Sequence, residues 1–199
     1  MYFYASLLNM NNQEEVEIKA KIGASEMKTI KEKLLKMGAV FDGRSREADT
    51  YFTAPHRDFI KTKECLRIRE SDSFSELTYK GPTTQLMKKK KQFWKLELNI
   101  PIHSSKKDIE SLFQYLDFHK VSEVIKDREK FTLGSQIICL DQIKGPGCFL
   151  EIESTVERGN REKAVKNNFD LLKSLGVGKE NIVTAPYRDL VIRYNKKKK

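Results

Sequence analysis

Apolar and polar residues alternate with a period of two through residues 14–22, 64–70, 94–100 and 147–153, the spacing of strands whose two faces meet different surroundings. Weaker stretches of the same kind cover 48–54, 75–80, 122–132 and 136–143, so the pattern predicts about eight strands, mostly antiparallel neighbours. Leu133-Gly134-Ser135-Gln136 supplies a hairpin turn between the last pair, and Lys144-Gly145-Pro146-Gly147 supplies the turn into the final strand. Spacing of three to four takes over at 26–37, 105–116 and 161–174, where Ile109, Leu112, Phe113 and Leu116, then Val165, Phe169 and Leu172, mark one face of a helix. Ser25 can cap the first of these and Gly38 stops it. Residues 186–194 alternate poorly and read as a short helix. An antiparallel sheet with helices packed outside is an α+β fold.

On the first strand the alternation puts Glu15, Glu17, Lys19 and Lys21 on one face and Val16, Ile18, Ala20 and Ile22 on the other. Arg67 and Arg69 repeat this against Leu66 and Ile68, Lys95 and Glu97 against Leu96 and Leu98, and Glu151 and Glu153 against Leu150 and Ile152. Lys80 and Asp141 end two further strands in the same manner. One such face on its own suits a solvated sheet surface, where opposite charges gain a few tenths to about 1 kcal/mol per pair. Repeated strand after strand with little Ser, Thr or Gln, it suits a barrel whose ionic face points inward and whose apolar outer face the helices cover. Such a polar tunnel fits a polyanion and its metal. Carboxylates two residues apart, as in Glu15 with Glu17 and Glu151 with Glu153, are the hard ligands that Mg²⁺ or Mn²⁺ prefers. Arginine forks and compact lysine charges suit phosphate oxygens.

Glu15-Val16-Glu17-Ile18-Lys19 resembles the E-x-E-x-K signature of the CYTH superfamily, the triphosphate tunnel metalloenzymes. The resemblance continues in order through Asp49-Thr50-Tyr51-Phe52, Leu66-Arg67-Ile68-Arg69-Glu70, Tyr79-Lys80-Gly81-Pro82, Lys95-Leu96-Glu97, Lys126 to Arg128, Leu140-Asp141 and Phe149-Leu150-Glu151-Ile152-Glu153, and so covers residues 14–194. It implies an eight-stranded antiparallel tunnel. It also implies that Glu15, Glu17, Glu151 and Glu153 are metal ligands, supported by Asp141 and Glu97. Lys19, Arg67, Arg69, Lys80, Lys126 and Arg128 would form a phosphate clamp, with Lys21 and Lys95 as further members. Motif order and Tyr187-Arg188-Asp189-Leu190 are most similar to the class IV adenylyl cyclase branch, which often has Ser-Tyr where this chain has Pro186-Tyr187. Animal-type thiamine triphosphatases place a Trp two residues before the first Arg of the Arg-x-Arg pair, where this chain has Cys65.

Two enzymatic readings follow from the resemblance. In an adenylyl cyclase the ATP 3′-hydroxyl attacks the α-phosphorus and pyrophosphate departs; in a triphosphatase water attacks the terminal phosphorus of thiamine triphosphate or inorganic tripolyphosphate. Both use the same metal and clamp, and in either one Lys80 or Lys126 could activate the nucleophile if neighbouring cations lowered its pKa.

Composition narrows the remaining classes. The formal charge of +10 invites a nucleic-acid partner, but eight lysines sit in two runs, Lys88–Lys91 and Lys196–Lys199, and no series of aromatic platforms is interleaved with them beyond Phe93 and Trp94. A non-catalytic binder of polyphosphate or nucleic acid is therefore the weakest reading. Cys65, Cys139 and Cys148 are an odd set without paired spacing, which argues against disulfides and zinc and for a reducing cytoplasm. His56, His103 and His119 lack ligand spacing and read as surface residues. No apolar run approaches the roughly 18–20 residues of a membrane span, and Met1 to Asn12 is a poor signal peptide, with Met10 an alternative start. The chain is expected to comprise an extension at 1–13, one domain at 14–194 and a solvated basic tail at 195–199. Homodimer formation through the apolar outer surface is a further expectation.

Overall fold

The computed structural model describes residues 13–82, 94–95 and 97–198. The strands are β1 (Gln13–Ile22), β2 (Val40–Thr53), β3 (Cys65–Ser71), β4 (Ser75–Lys80), β5 (Trp94–Lys95), β6 (Glu97–Pro101), β7 (His119–Leu133), β8 (Gln136–Ile143) and β9 (Gly147–Glu157). The helices are α1 (Ala24–Lys36), α2 (Phe59–Thr62), α3 (Lys106–Tyr115), α4 (Arg161–Ser174) and α5 (Tyr187–Lys196). All strand pairs are antiparallel, in the order β5-β1-β9-β8-β7-β2-β3-β4-β6. The two ends of that order, β5 and β6, flank a single residue of the chain. The last strand therefore leads back to the first, and the sheet curls into a barrel of eight strands when β5 and β6 are counted together.

The outward apolar face of β1, β8 and β9 (Ile18, Ala20, Ile138, Leu140, Leu150 and Ile152) packs under Ile30 and Leu34 of α1 and Leu171 and Leu172 of α4 in the largest core cluster. Phe52 and Ile68 pack with Phe113 of α3 in another. The expected helices thus cover the barrel from outside, but α5 does something else. Its Tyr187 and Val191 pack against Tyr51, Val124, Ile143 and Phe149, which lie on the same strand faces as the ionic residues. One end of the interior is therefore apolar and sealed by α5, leaving the charged part further along.

Several boundaries differ from expectation. β2 starts at Val40, eight residues before the predicted 48. Its first half carries Asp42-Gly43-Arg44-Ser45, which does not alternate, because a register shift between Phe41 and Gly43 interrupts the ladder with β7. Ser25 lies inside α1; Gly23 is the cap residue, and its N–H donates to Glu26 Oε2. Gly38, at φ +85°, does end that helix in the left-handed region. The two predicted turns carry Gly134 at +59° and Gly145 at +106°. α5 runs through Lys196, so a helix reaches into the basic run; Lys196, Lys197 and Lys198 are exposed. Met1 to Asn12, Lys88–Lys91 and Phe93 lie outside the described residues.

Candidate functional site

The inward faces of the strands surround a cavity of ≈ 650 Å³ whose walls carry both signs of charge. Glu15, Glu17, Glu97, Glu151 and Glu153 line it together with Lys19, Arg67, Arg69, Lys80, Lys126 and Arg128. Strand register explains the convergence: Glu17 stands opposite Glu153 and Lys19 opposite Glu151 on β1 and β9, while Lys80 stands opposite Glu97 on β4 and β6.

The cationic side is built on buried carboxylates. Asp49, 1% exposed, accepts from Arg69 Nε at 2.6 Å and Nη2 at 2.8 Å and from Arg67 Nη1 at 3.3 Å. Despite its burial, the two guanidiniums hold its carboxyl far below the usual range. Asp141, fully buried, accepts a fork of two 2.6 Å bonds from Arg128 and a 2.9 Å bond from the Tyr187 hydroxyl. Glu47 pairs with Lys126 at 2.9 Å and Arg69 at 3.2 Å. These bonds consume part of each cation's donor capacity and fix its direction, leaving the rest for the cavity. Burial, followed by the nearby Arg128, lowers the pKa of Lys126, against the pull of Asp141.

The cavity carboxylates crowd one another and touch the cations, with Glu151 accepting from Arg128 and pairing with Lys19 at 3.5 Å. Burial, a hydrogen bond to Glu97 and the charges of Glu97 and Glu153 raise Glu15 well above the normal carboxylate range, against Lys80. Burial and the negative neighbours Glu17, Glu151 and Glu97 also raise Glu153. Glu97 is the opposite case: against burial, Lys80 and the Glu15 hydrogen bond bring it down to about 2. Glu151 is likewise held low, since Arg128, Lys19 and Lys126 outweigh its burial. The ammonium of Lys80 lies 2.6 Å from Glu97, 3.3 Å from Glu15 and 4.0 Å from Glu17. Among the described residues no three carboxylates converge tightly enough to coordinate an ion as they stand; Glu15, Glu17 and Glu97 converge on the ammonium of Lys80 instead. Clustered, mutually repelling oxygen donors that recruit a cation have the chemistry that a hard divalent metal needs.

Of the residues singled out from sequence, three stand apart. Lys21 is exposed and off the cavity wall. Asp141 lies behind the wall, committed to Arg128 and Tyr187. Lys95 pairs through its backbone with Glu15, and its side chain lies outside the description. Sequence reasoning missed Glu47, Asp49 and Tyr51, although they alternate along β2. The predicted strand begins just after Glu47, and Asp49 and Tyr51 enter the sequence reading only as members of a motif. Tyr187 was missed as a wall residue because it arrives from a helix; its ring lies 4.4 Å from Lys19 Nζ. The cysteines are all free, and the three histidines are exposed as expected.

A family model described as the CYTH domain matches residues 13–187. This chain belongs to the CYTH family. One relative, a Methanocaldococcus jannaschii protein provisionally named an adenylate cyclase, is 33% identical over 177 residues, covering 88% of this chain and 97% of its own. A solved Pyrococcus horikoshii structure superposes with a TM-score of 0.79 at 31% identity, over 90% of this chain and 98% of that one. A Hippeastrum protein, provisionally an adenylyl cyclase and described as having a dominant triphosphatase activity, matches at TM-score 0.60 and 15% identity over 91% and 95% of the two chains; at that identity it shows the CYTH fold alone. No helix among the described residues is long and apolar enough to cross a membrane.

Proposed function

We propose that this CYTH protein is a divalent-metal-dependent enzyme acting on a triphosphate, and that its reaction converts ATP to cyclic AMP and pyrophosphate. The observation that carries the reading is the meeting, in one cavity, of cations braced by buried carboxylates with a cluster of mutually repelling carboxylates that those cations contact. A triphosphate with its metal complements both sets at once. Arg67, Arg69, Arg128, Lys126 and Lys19 would bind the phosphate oxygens, and Asp49, Asp141 and Glu47 would aim them. Glu15, Glu17, Glu97, Glu151 and Glu153 would hold Mg²⁺ or Mn²⁺, which when bound neutralises charge on the phosphates and the departing pyrophosphate. With the chain so clamped, attack of the 3′-hydroxyl on the α-phosphorus breaks the bond to the pyrophosphate oxygen, and the hydroxyl proton must leave. Of the two lysines that are catalytic candidates, Lys126 has surroundings that weaken its hold on a proton, whereas its three carboxylate neighbours strengthen that of Lys80, burial notwithstanding. The cyclase reading is supported by the name of the Methanocaldococcus relative. A second reading, hydrolysis of thiamine triphosphate or tripolyphosphate, is supported by the activity described for the Hippeastrum neighbour.

Incubation with Mg²⁺ or Mn²⁺ and ATP, thiamine triphosphate or tripolyphosphate, with cyclic AMP, pyrophosphate and orthophosphate read separately, tests both. Cyclic AMP from ATP is the expected result. Orthophosphate from thiamine triphosphate or tripolyphosphate without cyclic AMP would replace the cyclase with the triphosphatase. Intact activity in both Glu17→Ala and Arg69→Ala would sink the assignment of the cavity as the site.

A further inference from the structure

Lys80 differs from the other cations of the cavity in what it touches. Arg67 and Arg69 lean on Asp49, Lys126 on Glu47, and Arg128 on Asp141 with one further bond to Glu151, while Lys19 pairs with Glu17 and Glu151. Lys80 reaches instead across the closure of the barrel, from β4 to Glu15 and Glu17 on β1 and Glu97 on β6, at 3.3, 4.0 and 2.6 Å. Those are three of the five carboxylates assigned above to the metal. Glu17 also receives the Lys19 ammonium at 3.2 Å, so the set is partly neutralised from inside the protein. All four side chains of the Lys80 cluster are 12–29% exposed, dry enough for the charges to be felt strongly yet open to the cavity.

Resting on the metal reading above, we propose that Lys80 is an internal counter-ion that keeps the carboxylate site closed to a divalent cation until a triphosphate draws the ammonium away. An ammonium and a divalent ion compete for the same carboxylate oxygens, and each repels the other at these distances. A triphosphate entering between the walls offers Lys80 another anion and adds oxygen ligands for the metal. Lysine suits the task, being a point charge on a flexible four-carbon stem, where an arginine fork would be fixed in one geometry. Metal and triphosphate binding are then positively coupled, and the coupling is reciprocal.

The test is Mn²⁺ binding to substrate-free protein near neutral pH, read from the electron paramagnetic resonance signal of free Mn²⁺, in wild type, K80M and K80R. K80M should bind Mn²⁺ about tenfold more tightly than wild type, the scale of an ordinary coupling between sites, and K80R, which keeps the charge, no more tightly. K80Q replaces K80M if circular dichroism shows the latter unfolded. Equal affinity in wild type and the neutral variants overturns the counter-ion and leaves the metal reading standing. If no variant takes up Mn²⁺, and wild type with tripolyphosphate takes up none beyond what tripolyphosphate binds alone, the metal reading itself is overturned.

Discussion

Asp49 shows how a single residue can organise the cationic wall without lining it. Its carboxylate sits behind Arg67 and Arg69 and accepts three bonds from them. Removing one partner of a buried ion pair leaves the others uncompensated, at a cost of roughly 3–5 kcal/mol. Asp49→Asn should lower thermal stability at neutral pH by that amount and weaken triphosphate binding, as read by calorimetry. Because the folded pKa lies below the unfolded value of about 3.9, the contribution is fully present above that pH and lost as pH falls toward the folded pKa. The gap in melting temperature between wild type and Asp49→Asn should therefore be constant above pH ~5 and shrink below pH ~4. A gap unchanged into acid would show that the carboxylate's charge does not brace the arginines.

At the scale of elements, α4 is tied to the sheet by a buried polar residue as well as by packing. Asn168, 0% exposed, donates to the carbonyls of Val16 at 3.0 Å and Ile152 at 3.4 Å and accepts from Ser154 Oγ and Gln136 Nε2, both at 2.8 Å. Asn168→Leu strands the buried Ser154 hydroxyl and should cost about 1–3 kcal/mol in urea unfolding. A change near zero would mean that α4 is held by its apolar face alone. The turn from β8 to β9 is fitted to α5 in a different way. Gly145 has φ +106°, and a Cβ there would stand 2.6 Å from the Tyr194 ring. Gly145→Ala should destabilise by about 1–2 kcal/mol from backbone strain plus the clash, and Tyr194→Ala in the same chain should recover the clash alone. Failure of the double variant to recover any stability would show that strain accounts for the whole loss.

For the molecule as a whole, the formal charge of +10 lies outside the site, because the cavity's cations are matched by the carboxylates around them. If the cavity binds a triphosphate, the peripheral charge contributes long-range attraction, which salt screens beyond about 10 Å at 0.1 M, while the braced cations act at contact distance. Tripolyphosphate affinity in wild type should therefore fall several-fold on raising salt from roughly 0.05 to 0.3 M. Replacing Lys196, Lys197 and Lys198 by Ala should change affinity less than Arg69→Ala at every salt concentration. A larger loss from the lysine triple than from Arg69→Ala would place the anion on the basic tail.

The strands and most of the candidate site were legible in the sequence because a strand has a strict period of two: once Glu15, Glu17 and Lys19 share a face, no packing can separate them. The same rule placed Arg67 with Arg69 and Glu151 with Glu153. It could not tell wall residues from the groups that brace them, because Asp141 and Arg128 alternate alike, and only the three-dimensional distances show that one is consumed by the other. Nor could it separate Lys21 from Lys19, since where a strand leaves the barrel is set by its neighbours. Tertiary structure alone decided the role of α5, whose Tyr187 seals an interior that strand alternation leaves open. It also decided the position of Lys80, because a long side chain can reach across the closure of a barrel to strands that are remote in sequence.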